Sequence, residues 1–428
     1  MAEDTLLSDD LLRQLISVGE VDLLVGIPSQ YSFSPVADVV RAVEQSLSRQ
    51  FVRQRVVIAL LDGGEKNAEQ LAAAAGNGDE RRNHTHGITS LRTIHRIAVN
   101  FAAAPTPGAA LHTTLAICDL VRAKAAAVFS PTTSNLSAES VANLLTAVYR
   151  DNFDFAAPLY TRHKFQGLLM RNLLYPMSRA LFGSGMREVF PSEWGFSGRL
   201  GSHCFNQEIW QEEVIRTQPE AWMAVNASCD DYRCCQVYLG EKLPPKNVAA
   251  IDIVDILRQT VGALFWCLES QQTSWLDSEK VHSAPTIGPA HQLTSEPTEM
   301  DRHRIFEMFR SGVTNLEPVL STILDPETHS EIKAIVSLEE GKFRFQSDLW
   351  VRTLYDFAAS YHHAVINRDH LVQALAPLYR GMTHSYLVEH ADSSPAEIEA
   401  ADEMLCSEFE LQKPYLREKW KSKVEVKS

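Results

Sequence analysis

Through the first half of the chain, short apolar runs alternate with amphipathic ones, the pattern that builds a parallel sheet covered by helices. Residues 21–27 read as a buried strand closed by Pro28-Ser29. A helix follows: Ser34 can cap it, Pro35 suits its first position, and Val36, Val39, Val40 and Val43 share one apolar face. A second strand over 55–61 runs into Asp62-Gly63-Gly64, and a helix over about 65–75 returns the chain. Residues 76–92 are polar and irregular; His84 and His86 within them, lacking a third ligand nearby, read as solvated loop residues. The alternation continues with an extended run at 93–101, a helix at 108–122, a strand at 125–129 stopped by Ser130-Pro131, a helix at 138–149 and a strand at 153–159.

Beyond Pro176 the pattern loosens into glycine and serine clusters at 182–185 and 191–198, which predict turns of the kind that shape a cleft. Three prolines among polar residues over 283–300 predict a linker, and helical signals dominate from there on. Ser347 can cap a helix carrying Leu349, Trp350, Leu354, Phe357, Ala358 and Tyr361 on a broad apolar face. The expected organisation is therefore an N-terminal helix (1–20), an α/β domain (21–282), a linker (283–300) and a helical C-terminal domain (301–428).

Composition narrows the partners. With 428 residues, two or three domains are expected. Forty basic against 54 acidic residues give a net charge of -14, which argues against general attraction to nucleic acid or anionic lipid. The acidic start Met1-Ala2-Glu3-Asp4-Thr5 is unlike a secretory signal, and the most apolar stretch, 260–268, is too short to span a bilayer. A cytoplasmic protein without a membrane span is expected. Seven cysteines without metal-type pairs suit a reducing compartment, and adjacent Cys234 and Cys235 face opposite ways in a strand.

Open parallel sheets bind ligands at the carboxyl ends of their strands. Two such ends are Val25-Gly26-Ile27-Pro28-Ser29 and Leu61-Asp62-Gly63-Gly64. Further along come Pro158-Leu159-Tyr160-Thr161-Arg162-His163-Lys164-Phe165, Tyr175-Pro176, Arg179-Ala180-Leu181-Phe182-Gly183, Gly195-Phe196-Ser197 and Gln236-Val237-Tyr238-Leu239-Gly240. This ordered series resembles the bacterial glycosyltransferases of the GT-A fold related to mannosylglycerate and glucosylglycerate synthases. The resemblance extends to Tyr361-His362-His363, Leu375-Ala376-Pro377-Leu378-Tyr379 and Lys413-Pro414-Tyr415-Leu416. It implies a GT-A-like mainly parallel sheet with flanking helices and a helical C-terminal domain. It also implies transfer of a hexose from a nucleoside diphosphate sugar to a small, anionic, hydroxylated acceptor such as a glycerate derivative. Pro28 and Ser29 would border the nucleotide, Asp62 would bond base or ribose, and Arg162 and His163 would face the acceptor's carboxylate or phosphate. Self-association is left open.

The departures from the family pattern matter as much. Relatives usually carry Asp-x-Asp after the strand at 125–129, holding a divalent cation, Mg²⁺ or Mn²⁺, on the diphosphate. Here Ser130-Pro131-Thr132 stands instead, so Ser130 and Thr132 could offer the nucleotide only hydroxyls. Pro244 replaces an expected histidine ligand and Ala109 an expected lysine. No metal ligands are therefore assigned; either positive charge would come from side chains such as Arg162, Lys164 or Lys242, or Glu193 and Asp62 would rebuild a weaker metal site. Glu193 stands where relatives tend to have an acid in a glycine-rich turn; metal ligand, sugar contact, catalytic base and solvated loop glutamate all remain open. Trp194 beside it could stack on a sugar or base. Adjacent Asp230 and Asp231 read as turn residues, and His362 and His363 diverge on a helix. A second reading keeps the scaffold without turnover: a catalytically inactive protein that binds a nucleotide, a sugar or a partner subunit.

Overall fold

The structure, a computed structural model, describes residues 6–28, 33–62, 94–101, 105–131, 133, 135–242, 252–277, 279, 282–289 and 300–422. The helix expected over 65–75 and the loop with His84 and His86 lie outside them, as do Ser29, Thr132 and Pro244 and the side chains of Ser34, Pro35 and Asp62.

Eight strands form one mixed, mainly parallel sheet: β1 (Leu23–Pro28), β2 (Val56–Asp62), β3 (Ile94–Asn100), β4 (Ala125–Phe129), β5 (Phe155–Thr161), β6 (Glu193–Ser197), β7 (Cys234–Glu241) and β8 (Thr286–Ile287). Their order is β3-β2-β1-β4-β6-β5-β7-β8, and β6 runs antiparallel to both of its neighbours. Outward from β1 the sheet grows through β2 and β3 on one side and through β4 on the other, so its switch point lies between β1 and β4.

The apolar patterning explains the layers. Val25 and Ile27 of β1 pack with Ile58 of β2 and Ala127 of β4 under helices Phe33–Gln50 and Ala138–Tyr149, through Val36, Val39, Val43, Val141, Leu144 and Val148. The opposite face of β1 meets helix Pro107–Leu120. There Gly26 matters, because a Cβ at that position would stand 2.9 Å from the Thr114 side chain. Local signals set the helix starts: Thr106 and Ser137 accept backbone N–H bonds from Ala109 and Ser140, and Pro107 occupies a first position that needs no donor.

Two compact units divide the chain. The first comprises 1–161, 190–248 and 283–294 and carries the sheet; the second comprises 162–189, 249–282 and 295–428 and is helical. The contiguous boundaries expected from the sequence differ from this, since 162–189 and 249–282 join the helical unit. Helix Ile253–Ser270 packs against helices Ser347–His362 and Arg368–Glu389, and 162–189 is tied in by long-range charge pairs. Arg171, Arg179 and Arg187 pair with Asp402, Glu410 and Glu399 on helix Pro395–Leu411. Trp350 adds a buried indole N–H bond to the Asn172 carbonyl at 2.8 Å. Part of the stretch read as loop-rich is also helical: a π-helical turn at Met170–Leu174 leads into helix Tyr175–Phe182, ended by Gly183 in the left-handed region. The linker contributes β8, paired with β7. Helix Ser347–His362 begins one residue earlier than expected, with Gln346 at its cap.

Two glycines test this packing. A Cβ on Gly198 would lie 2.1 Å from the Ala123 carbonyl oxygen, whereas one on Gly262, inside helix Ile253–Ser270, meets nothing within 4 Å. Gly198→Ala is expected to destabilise by about 1–3 kcal/mol and Gly262→Ala to stabilise by about 0.5–1 kcal/mol. Urea unfolding of the two variants checks the opposite signs.

Candidate functional site at the carboxyl edge of the sheet

Because β1 to β4 are parallel, Pro28, Asp62 and Ser130 follow or end strands at the same edge of the sheet. The antiparallel β6 brings its first residue to that edge too, for Glu193 lies opposite Phe129. Here the structure corrects the sequence reading: 193–197 is a buried strand, not a cleft turn, and Glu193 is 0% exposed instead of solvated. Trp194, opposite Val128, is likewise buried in the sheet and presents no open face for a sugar. Asp230 and Asp231 fall in the turn after helix Pro219–Cys229, with Asp231 at a φ of 56°.

The ends of four strands meet around the Glu193 carboxylate. Its Oε1 accepts a hydrogen bond from the Thr133 hydroxyl, beyond β4, and its Oε2 one from the Tyr160 hydroxyl, at the end of β5. Lys242, one residue past β7, brings its Nζ to 3.8 Å from Oε2. The same ammonium donates to Ser192 Oγ at 2.8 Å and sits 4.4 Å from the centre of the Tyr160 ring. Ser130 joins the group through its backbone, donating to the Ser192 carbonyl at 3.1 Å and accepting from Thr133 N–H at 3.3 Å. Burial pushes Glu193 above the usual 4.5, with the attraction of Lys242 offsetting part of that shift. The result is a carboxyl held among hydroxyls beside a lysine whose side chain is 28% exposed.

Thr133 and Tyr160 were not singled out in the sequence as partners of Glu193. A weak signal existed for Tyr160, a hydroxyl-bearing residue near the end of an otherwise apolar strand. Nothing local marks Thr133, which reaches Glu193 across 60 positions of chain.

Among the described residues no donor set able to hold a divalent cation is assembled at this edge. Mg²⁺ and Mn²⁺ favour several oxygen ligands, usually including carboxylates. Two buried acids stand at the described strand ends, Glu193 and Glu241, and Glu193 has a hydroxyl on each oxygen and an ammonium beside it. Among the described residues no three His, Cys, Asp or Glu side chains form a group able to hold a metal.

Arg162 and His163 belong to the helical unit. Arg162 forms a two-armed ion pair with buried Glu188, one arm at 3.1 Å, and its aliphatic stem covers Gly167, itself at a φ of 66°. Its guanidinium is thus already engaged by a carboxylate. His163 Nδ1 accepts from the Phe165 N–H at 3.3 Å, and its ring meets Phe165 edge-on. Lys164 donates to the carbonyls of Ala391 and Ser393.

No protein-family model matches the sequence, and no curated protein matches it. Among solved structures the chain is similar to glucosyl-3-phosphoglycerate synthase from Mycobacterium tuberculosis, crystallised with Mn²⁺, uridine diphosphate and phosphoglyceric acid. The identity is 11% over 63% of this chain and 85% of that one, with a TM-score of 0.41. Mannosyl-3-phosphoglycerate synthase from Rubrobacter xylanophilus gives 14% identity over 62% of this chain and 79% of that one, with a TM-score of 0.36. A mannosyltransferase from Pyrobaculum calidifontis, in complex with GDP-Man and Mn²⁺, gives 8% identity over 94% and 92%, with a TM-score of 0.42. Likenesses this weak carry no functional argument. Among the described residues no helix is long and apolar enough to cross a membrane.

Burial of Glu193 has a measurable consequence. Its carboxyl keeps a proton to higher pH in the folded chain than in the unfolded one. That contribution to stability is fully present below about pH 4.3 and is lost as pH rises through the raised folded value. The stability of the wild type relative to Glu193→Gln is therefore expected to fall as pH rises from about 4.5 towards neutrality. Thermal unfolding of both proteins over that range checks it; a difference that grows with pH would mean a carboxylate held ionised by Lys242.

Proposed function

We propose that this protein is a glycosyltransferase of the nucleotide-sugar type, moving a hexose from a nucleoside diphosphate sugar to a hydroxyl of a small anionic acceptor such as a glycerate derivative. One observation carries the reading: at the carboxyl edge of a mainly parallel sheet, an anchored lysine stands where the ends of β4, β5, β6 and β7 converge. In this reading Pro28, Ser29 and Asp62 border the nucleoside, and Ser130 and Thr132 offer hydroxyls to the diphosphate. Lys242 supplies the positive charge that the departing diphosphate needs. Glu193, enclosed by Tyr160 and Thr133, is a positioning residue that holds Lys242 in place. Arg162 and His163 stay candidates, within the helical unit, for reading an anionic group, Arg162 acting with Glu188 instead of alone.

A second reading, binding of a nucleotide sugar without turnover, draws on a separate observation. Glu193 has both oxygens engaged and is fully buried, so it is poorly placed to take a proton from an acceptor hydroxyl.

Calorimetric titration with UDP-glucose and GDP-mannose, in EDTA and then in Mn²⁺, tests the donor site. Similar affinities are expected in the two conditions, with Lys242→Met weakening binding about tenfold, roughly the 1.4 kcal/mol of one charge-assisted bond. A gain with Mn²⁺ of about a hundredfold, ~2.7 kcal/mol, would overturn the metal-independent site, and no binding by either sugar nucleotide would overturn the reading itself. A product assay with 3-phosphoglycerate as acceptor then separates transfer from binding alone.

A further inference from the structure

The helical unit contains a cavity of about 710 Å³ lined by no residue given a site role above. Its size is that of a small-molecule site. The walls are largely apolar, including Val254, Leu316, Val319 and Ile366. The polar groups come mostly from one helix, Arg368–Glu389, on which His370, Gln373, Pro377 and Arg380 follow at spacings of three and four and so share a face.

Two features of that face point to a ligand. The first is Arg380. It is half-buried, and among the described residues its guanidinium has no carboxylate, hydrogen-bond or aromatic partner. This is notable in a chain with 54 acidic residues, and in a unit where Arg162, Arg171, Arg179, Arg187 and Arg352 are each paired. A cation against an apolar wall is better compensated by an anion than left alone. The second is Pro377, which lies inside the helix. Without an N–H it cannot return the usual bond to the Gln373 carbonyl, one turn back on the same face. Close packing keeps this proline rigid: a Cβ on Gly312 of helix Arg302–Asn315 would fall 2.6 Å from Pro377 Cβ. The Gln373 side chain, another lining group, likewise has no hydrogen-bond partner among the described residues.

We infer that this cavity is a binding site for a small amphipathic anion: an alkyl or acyl body lying along Val254, Leu316, Val319 and Ile366, with its carboxylate or phosphate on Arg380 and Gln373. Apolar walls account for affinity, and the single cation sets the orientation and the preference for an acidic head. The inference is independent of the sugar-nucleotide reading.

The test uses the full chain with dodecanoate, dodecyl phosphate and dodecanol, each below its micellar concentration, followed by calorimetry. Saturable binding of at least one of the two acids is expected, tighter than that of dodecanol by about tenfold, and whichever acid binds better identifies the head group. Arg380→Gln should remove that preference while leaving dodecanol binding unchanged. Val319→Trp, which fills the cavity from a partly exposed position, should weaken all three, with circular dichroism confirming that both variants fold. Three results would overturn the proposal: no saturable binding of either acid, dodecanol binding as tightly as the acids, or binding indifferent to both substitutions. Co-sedimentation with anionic vesicles in place of soluble-ligand binding would also overturn it, by assigning the surface to a membrane.

Discussion

Parallel strands cannot be joined by tight turns; each must be reached by a crossover, and all of them therefore end at the same edge. In this protein that constraint collects Pro28, Asp62, Phe129, Thr161 and Glu241 along one side of the sheet, although they are far apart in the chain. One strand breaks the rule to the same effect. Since β6 runs backwards between β4 and β5, its first residue reaches the edge, and that residue is Glu193. The carboxyl, the lysine after β7, the tyrosine near the end of β5 and the threonine beyond β4 meet because the sheet has this order. Placed in a different order, the same side chains would be solvated ends of unrelated strands.

Much of this was legible beforehand where local signals and tertiary structure agree. The strand at 125–129 and the helix at 138–149 have the bounds expected from the sequence, because an uninterrupted apolar run and a capping serine leave few alternatives. β6 was missed for a specific reason. Gly195 between aromatic residues looks like a turn, yet it serves close packing: a Cβ there would stand 3.2 Å from Val148 and 3.3 Å from the Leu144 carbonyl of the covering helix. The assignment of 162–189 to the helical unit was equally invisible, since Arg171, Arg179 and Arg187 find their acids more than 200 positions away. Of the candidate site, the strand ends were legible but the partners of Glu193 were not, because hydrogen bonds across 33 and 60 positions leave no periodic trace.

A buried carboxyl beside an ammonium contributes little net stability, because the cost of leaving water roughly cancels the attraction between the charges. An apolar pair of similar size would hold the strand ends together about as well. What the Glu193–Lys242 arrangement adds is direction: the lysine is tethered by Ser192 and Glu193 and lies over the Tyr160 ring, so its charge stays at the sheet edge with few rotamers open to it. Recognition of an anion depends more on such preorganisation than on the strength of any one contact.

The late arrival of β6 also shapes how the chain assembles. During synthesis β4 emerges with its outer edge unpaired and stays so until residues 193–197 follow, some 64 positions after it ends. That edge, Ala125–Phe129, is entirely apolar, and carries none of the lysines, prolines or bulges that usually protect an open strand. A nascent chain that has completed β1 to β4 therefore carries an adhesive border until the reversed strand covers it, and it is in this interval that the protein is most exposed to pairing with the wrong chain.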